Sequence, residues 1–127
     1  MDLDRTPEEI ARAAGDAIRT LNHRTQAHST FTYPSEIQST AVGLSAVLLG
    51  LPQTLDQLHH GIDAVSSTQH LYAYDDSNVD DITDRAKTEL VEAVGHIREA
   101  SQALQQVVNL LAYVGAIIPD DEPAETV

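Results

Sequence analysis

The stretch IQSTAVGLSAVLLGLPQTLDQLHHGIDAV, residues 37–65, decides the fold because its apolar residues recur at alternating steps of four and three. This spacing is a heptad repeat about four heptads long, and it predicts a long amphipathic helix that Pro34 opens. The repeating positions are Ile37, Ala41, Leu44, Leu48, Leu51, Leu55, Leu58, Ile62 and Val65.

Pro52 lies inside this repeat, and a proline removes one helical hydrogen bond and clashes with the preceding turn. Two alternatives follow. The helix kinks at Pro52, helped by Gly50, or it breaks there and a new helix begins with Pro52 in its first turn. The apolar repeat continues in phase through Pro52, which favours the kink.

Two further helices are predicted on either side of this stretch. Thr6 is placed to cap the first, with Pro7 and Glu9 following at the spacing of a capping box. Ser77 or Asn78 is placed to cap the last, which Pro119 ends near residue 118. The apolar positions of the last helix are Leu90, Val94, Ile97, Ser101, Leu104, Val108, Leu111, Gly115 and Ile118, extended backwards by Val79, Ile82 and Ala86.

No stretch alternates between apolar and polar residues as a strand would. We therefore predict an all-α fold, an antiparallel bundle of three long helices, or four if Pro52 breaks the second. One helical-bundle domain spans residues 1–118, and residues 119–127 form a disordered acidic tail.

Short connections at residues 29–33 and 69–78 set the register of the bundle. Residues 41–51 are then covered by both neighbouring helices, which explains why they are apolar almost all round. Beyond residues 41–51, the surface that the second and third helices form together has no part of the first helix opposite it. At the other end of the bundle, the third helix extends past its neighbours. Exposed apolar surfaces of this kind usually mark self-association or a partner, so we predict a homodimer. The predicted interface comprises Leu58, Ile62, Val65, Ile82, Ala86, Leu90, Tyr113 and Ile117.

Composition narrows the partners and the compartment. The chain has 20 Asp and Glu against 7 Lys and Arg, a net charge of −13, and neither Cys nor Trp. Disulfides and thiolate zinc sites are excluded, and a basic nucleic-acid surface is not expected. The N-terminus lacks the apolar core of a signal peptide, and no apolar run reaches the roughly 20 residues of a membrane span. We expect a cytoplasmic protein that binds neither nucleic acid nor membrane.

Three segments carry a resemblance: AIRTLNHRT at residues 17–25, YPSE at residues 33–36 and LPQTLDQL at residues 51–58. Together they resemble a group of small helical actinobacterial proteins that are rich in Ala and use Arg in preference to Lys. The resemblance covers roughly residues 15–60. It implies a helical fold in a bacterial cytoplasm, and it implies no particular reaction.

Two groups of polar residues are candidate sites. Asn22, His23, Thr25 and Tyr33 cluster around the first helix junction, as a binding corner or as a network that locks the turn; we favour the turn. His59, His60, Asp63 and His70, with Glu92 and His96, could suggest a metal. Their spacing of four differs from the Glu-x-x-His spacing of di-iron bundles, which favours solvated helix faces and no metal site.

The sequence contains no nucleophile elbow, no phosphate-cradling loop and no Ser-x-x-Lys, and Lys87 is its single lysine. We therefore predict a non-enzymatic protein without a cofactor that acts through protein–protein contacts. Two alternatives stay open. An acidic decoy would mimic nucleic acid and occupy a basic cleft, and a small-ligand or metal-binding bundle would use the His, Asp and Glu side chains.

Overall fold

The structure is a computed structural model that describes residues 1–117, apart from the side chain of His28. Within this range the chain forms helices α1 (Pro7–Arg24), α2 (Pro34–Thr68) and α3 (Val79–Leu111), a short 3-10 helix (His28–Thr30) and no strand. The all-α prediction is confirmed. The predicted tail, residues 119–127, lies outside the described residues.

The described chain divides into two compact units. One contains α1 and comprises residues 1–36 and 115–117; the other comprises residues 37–114 and holds α3 with most of α2. The single domain expected over residues 1–118 stays a prediction.

Thr6 caps helix α1, as the sequence predicts. The Thr6 hydroxyl oxygen accepts a hydrogen bond from the Glu9 amide at 3.2 Å, which satisfies one of the amide groups left free in the first turn. At the other end, Thr25 donates from its hydroxyl to the carbonyl oxygen of Leu21 at 2.9 Å. Every residue from 1 to 20 is exposed, so the apolar face of α1, centred on Ile10 and Ile18, is open to solvent.

Helix α2 runs unbroken for 35 residues through Pro52. The alternative of a fourth helix is therefore wrong within the described residues. Pro52 offers no amide hydrogen to the preceding turn, a loss that an isolated helix tolerates poorly. Here the helix packs on α3 on both sides of Pro52, and that packing stabilises the helical path across it.

Helices α2 and α3 pack closely, and three polar contacts fix their register. Gln38 donates from Nε2 to the carbonyl oxygen of Val108 at 3.0 Å, and the Ser45 hydroxyl lies 3.5 Å from Oε1 of Gln105. Farther along, Lys87 Nζ contacts Asp63 Oδ1 at 2.8 Å. The contacting residues rise in number along α2 while they fall along α3.

The covered face of α2 includes six of the nine predicted positions: Ala41, Leu44, Leu48, Leu51, Leu55 and Ile62. Ile37, Leu58 and Val65 are exposed. The structure adds a row that was not predicted and that is also buried or half-buried: Gln38, Ser45, Pro52 and His59. Ala41 and Ser45 are the two buried residues of α2, and such small side chains let two helices approach closely.

Helix α3 follows its predicted face more closely. All the predicted positions from Leu90 to Leu111 are buried or half-buried, with Val94 and Ser101 the most covered. The backward extension is partly wrong, because Thr83 and Lys87 are half-buried there while Ile82 and Ala86 are exposed.

Helix α3 starts where the sequence predicts but ends earlier than predicted. Asn78 is the cap: its Oδ1 accepts from the amides of Asp80 and Asp81 at 2.9 and 3.2 Å. The predicted C-terminal end near residue 118 is wrong, because α3 ends at Leu111. The Gln38–Val108 contact places the second turn of α2 beside the last turn of α3. Further turns of α3 would therefore extend past the start of α2, without its packing to stabilise them.

Replacing Ser45 with Leu tests the close approach of α2 and α3. We expect the variant to lose about 1–3 kcal/mol of unfolding free energy, because extra methylenes in a packed contact force the helices apart. Urea unfolding followed by circular dichroism measures this. Ser39→Leu makes the same change at an exposed position of the same helix. Equal losses in the two variants would contradict the close contact.

Asn78→Ala tests the cap of α3. We expect a loss of about 1 kcal/mol, the usual cost of removing an N-cap side chain. Ser77→Ala is the matched control, since Ser77 is the neighbouring candidate cap. Thermal unfolding compares the stability of the two variants. A larger loss of stability for Ser77→Ala than for Asn78→Ala would contradict Asn78 as the cap.

Candidate functional site

An open groove with a volume of about 990 Å³ lies between the C-terminal half of α2 and the N-terminal half of α3. Apolar side chains and one glycine form most of its wall; Thr83 and Glu89 are the polar exceptions. The apolar wall consists of Leu58, Gly61, Ile62, Val65, Leu71, Ala86, Leu90 and Ala93.

The groove brings together five of the eight residues of the predicted interface: Leu58, Ile62, Val65, Ala86 and Leu90. Leu58 and Val65 are each about half exposed, at 52% and 49%. An apolar side chain gains free energy when it leaves water, so this wall favours any partner surface that covers it. Whether the groove is an interface stays a prediction.

The groove exists because large and small residues occupy different rows beside the α2–α3 contact. On α2, Leu44, Leu51, Leu58 and Val65 share one heptad position on this flank. On α3 the corresponding row is Ala86, Ala93 and Ala100. The long α2 side chains form one wall, and the short α3 side chains leave the space. We call this side of the helix pair the groove flank.

The opposite flank of the pair carries charged side chains beside exposed apolar ones such as Leu49. There Lys87 Nζ contacts Asp63 Oδ1 at 2.8 Å and Asp84 Oδ1 at 3.5 Å, and Arg98 lies beside Leu49 in a smaller pocket. The hydrogen bond from Lys87 holds the pKa of the Asp63 carboxyl below its ordinary value of 3.8. The same bond raises the pKa of Lys87 above 10.5. One ion pair therefore ties α2 to α3 on this flank.

The predicted histidine and carboxylate positions do not converge on one point. His59 Nδ1 lies 3.9 Å from Asp63 Oδ2, and His60 donates from Nδ1 to the carbonyl oxygen of Asp56 at 2.7 Å. His70, Glu92 and His96 are exposed. Among residues 1–117, no group of three or more His, Asp or Glu side chains is placed to hold a metal ion.

Ile82, the sixth helix residue of the predicted interface, lines a different pocket of about 470 Å³ with Tyr72, Tyr74 and Val79. The two tyrosine rings meet edge to face, with centroids 5.4 Å apart. The loop turns at Asp76, whose φ of 63° is left-handed, a conformation that Asp tolerates better than most residues.

Asp75 supports this turn through its neighbour Ser77. The Ser77 amide donates to Asp75 Oδ1 at 3.1 Å. Hydrogen bonds from the Ser77 side chain and amide hold the pKa of Asp75 below its ordinary value. The two acidic residues of the loop before α3, Asp75 and Asp76, therefore belong to a structured turn.

The predicted polar corner is a helix end and a turn in the structure. Thr25 donates to the carbonyl oxygens of Leu21 and Asn22, and the His23 carbonyl oxygen accepts from the Gln26 amide at 3.4 Å. The Tyr33 carbonyl oxygen accepts from the Glu36 amide at 3.0 Å, while the Tyr33 side chain is 46% exposed. These contacts are of the kind that closes a turn.

Tyr113 and Ile117, the last two predicted interface residues, lie beyond the end of α3 and are both highly exposed. Sequence reasoning missed five groove residues: Gly61, Leu71, Thr83, Glu89 and Ala93. Leu71 lies in the loop, where no repeat marks it, and Glu89 is polar, so an apolar pattern passes over it.

Comparison with known proteins adds no family: no protein-family model, curated protein or solved structure matches this chain. The resemblance to helical actinobacterial proteins stays a prediction. Among the described residues, no helix combines the length and the apolarity needed to cross a membrane.

Lys87→Met tests the ion pair, since Met keeps an apolar stem and removes the charge. The lowered pKa of Asp63 means that the pair stabilises the fold above that pKa and loses its effect as the pH falls through it. The raised pKa of Lys87 means that the effect is also lost as the pH rises past about 10.5.

We therefore expect the variant to be less stable than the unmodified protein near neutral pH and the difference to shrink below about pH 3.8. Urea unfolding across the pH range measures it. Arg19→Met removes an exposed pair with Asp16 within one helix, and it should change stability less. A difference between Lys87→Met and the unmodified protein that stays constant into acid would contradict this role.

Proposed function

We propose that this protein is a non-enzymatic helical-bundle protein that acts through protein–protein contacts, and that it forms a homodimer. The observation that carries the proposal is the open apolar groove between α2 and α3. In an acidic chain of net charge −13, a wall of this size that is apolar apart from Thr83 and Glu89 is well suited to contact another protein.

We further propose that the helices pack as an antiparallel bundle that the second copy completes. The order of the contacts supports this for α2 and α3: Gln38 meets Val108 early in α2, and Asp63 meets Lys87 late in it. A pair of helices has only one buried contact, so it leaves much of each helix in water. A second pair would cover the groove flank and give both copies a shared core.

The absence of enzymatic activity is part of the proposal. It rests on the sequence, which lacks the recognised catalytic motifs, and on its single lysine. Lys87 is held in an ion pair with Asp63. We also propose a cytoplasmic location and no nucleic-acid partner, because the strong acidity would repel phosphate groups.

Leu58→Glu tests the groove as the dimer contact. We expect the full chain to have twice its 13.8 kDa mass by light scattering. The variant should dimerise about 100-fold more weakly, since a dimer loses two buried leucines worth about 3 kcal/mol together and gains two unpaired charges.

Leu49→Glu is the matched control. Leu49 is 68% exposed on the same helix, but it lies on the opposite flank beside Arg98. This variant should dimerise like the unmodified protein, and circular dichroism checks that both variants keep their helices. A monomeric parent chain at high micromolar concentration, or equal weakening by both substitutions, would overturn the proposal.

A further inference from the structure

Charge is distributed unequally along the α2–α3 pair. Residues 37–55 of α2 and residues 100–118 contain no Asp, Glu, Lys, Arg or His. The structure places the helical parts of these two segments side by side, since Gln38 contacts Val108 and Ser45 contacts Gln105. We call residues 37–55 together with residues 100–114 the uncharged end. The groove lies toward the other end, near the acidic loop.

The uncharged end also exposes apolar side chains of α3 and the residues just after it. Val107, Leu110 and Val114 are 41%, 67% and 51% exposed. Val107 shares the heptad position of Ala86 and Ala93, which line the groove, and Val114 lies just beyond the end of α3. A heptad position keeps to one side of a helix pair, so Val107 and the groove belong to the same flank.

We propose that the groove of one copy takes residues 107–114 of a second copy, and that the second groove takes the same segment of the first. This inference rests on the homodimer proposed above and names its geometry. A twofold axis across α3 near Ala100 makes both contacts at once, because Ala100 lies midway between Ala93 and Val107 along the helix. The small side chain there lets the two α3 helices approach.

Charge favours this arrangement over one with both loops at the same end. Asp75, Asp76, Asp80 and Asp81 lie in and after the loop. Two copies with their loops together would bring eight carboxylates near one another, within reach of unscreened repulsion. In the proposed arrangement the two acidic loops are far apart, because they lie at opposite ends of the paired α3 helices.

The available surface matches the requirement of a stable dimer. The groove flank runs from Ile37 to Val65, about 42 Å at the rise of a helix. Two helices side by side are about 20 Å wide, so each copy offers about 800 Å². Stable interfaces bury about 800 Å² per partner.

Cysteine cross-linking tests the geometry, because the chain contains no cysteine of its own. The test mixes the Leu90→Cys variant with the Leu110→Cys variant under mild oxidation, because Leu90 lines the groove and lies as far before Ala100 as Leu110 lies after it. The proposal predicts a covalent dimer that contains one copy of each variant. A single chain cannot bridge these positions internally, since they lie 20 residues apart along one helix, about 30 Å.

Three controls make the outcome specific. Each variant oxidised alone should form at least tenfold less covalent dimer than the mixture. Val91→Cys replaces a residue on the other flank of α3 that is 59% exposed, and its mixture with Leu110→Cys should also give little. Strong cross-linking of Leu110→Cys alone, or no cross-link in the first mixture, would overturn this geometry. If light scattering then still shows a dimer, the homodimer proposal stands without this geometry. A monomer would contradict both the homodimer and its geometry.

Discussion

The close approach of α2 and α3 along small side chains is the contact on which the rest of the structure depends. Ala41 and Ser45 on α2, and Ser101 on α3, are among the few buried residues of the described chain. Because these side chains are short, the helices approach closely, and polar groups can reach across at Gln38 and Ser45. Leu44 and Leu51 are half-buried beside this contact, whereas Leu58 and Val65, which continue their row, are about half exposed and line the groove.

Much of the fold follows from the sequence because local signals decide it. Thr6 and Asn78 carry side chains that satisfy free amides, so both helix starts can be predicted from chemistry within one turn. The heptad face of α3 is also predictable, because one row of large residues dominates it. On α2 two adjacent rows fit the same spacing, and apolarity alone selects the leucines. The contact uses Ser45, Pro52 and His59 because fit across two helices, which a single sequence does not display, decides it. The end of α3 escapes prediction for the same reason: it depends on where α2 begins.

The candidate site, like the fold, can be predicted from the sequence only in part. Leu58, Ile62 and Val65 can be assigned to a shared surface from spacing and register, without coordinates. Leu71 and Glu89 cannot, because a loop residue and a charged residue carry no apolar repeat. The charge pattern adds information that the apolar repeat does not contain. One end of the α2–α3 pair is free of charge and the other is acidic. The groove and the surface that we infer to fill it therefore have different surroundings. That difference gives the proposed dimer a direction.

The central claim is that association covers the groove and the uncharged end together. Hydrogen–deuterium exchange at low and high protein concentration tests it most directly. Amides of residues 58–65, 86–93 and 107–114 should exchange more slowly as concentration rises, because covering a helix lowers the frequency of local opening. Amides of residues 8–20 in α1 should change little and serve as the internal reference. Exchange that does not depend on concentration in the three segments, or protection confined to α1, would contradict the account.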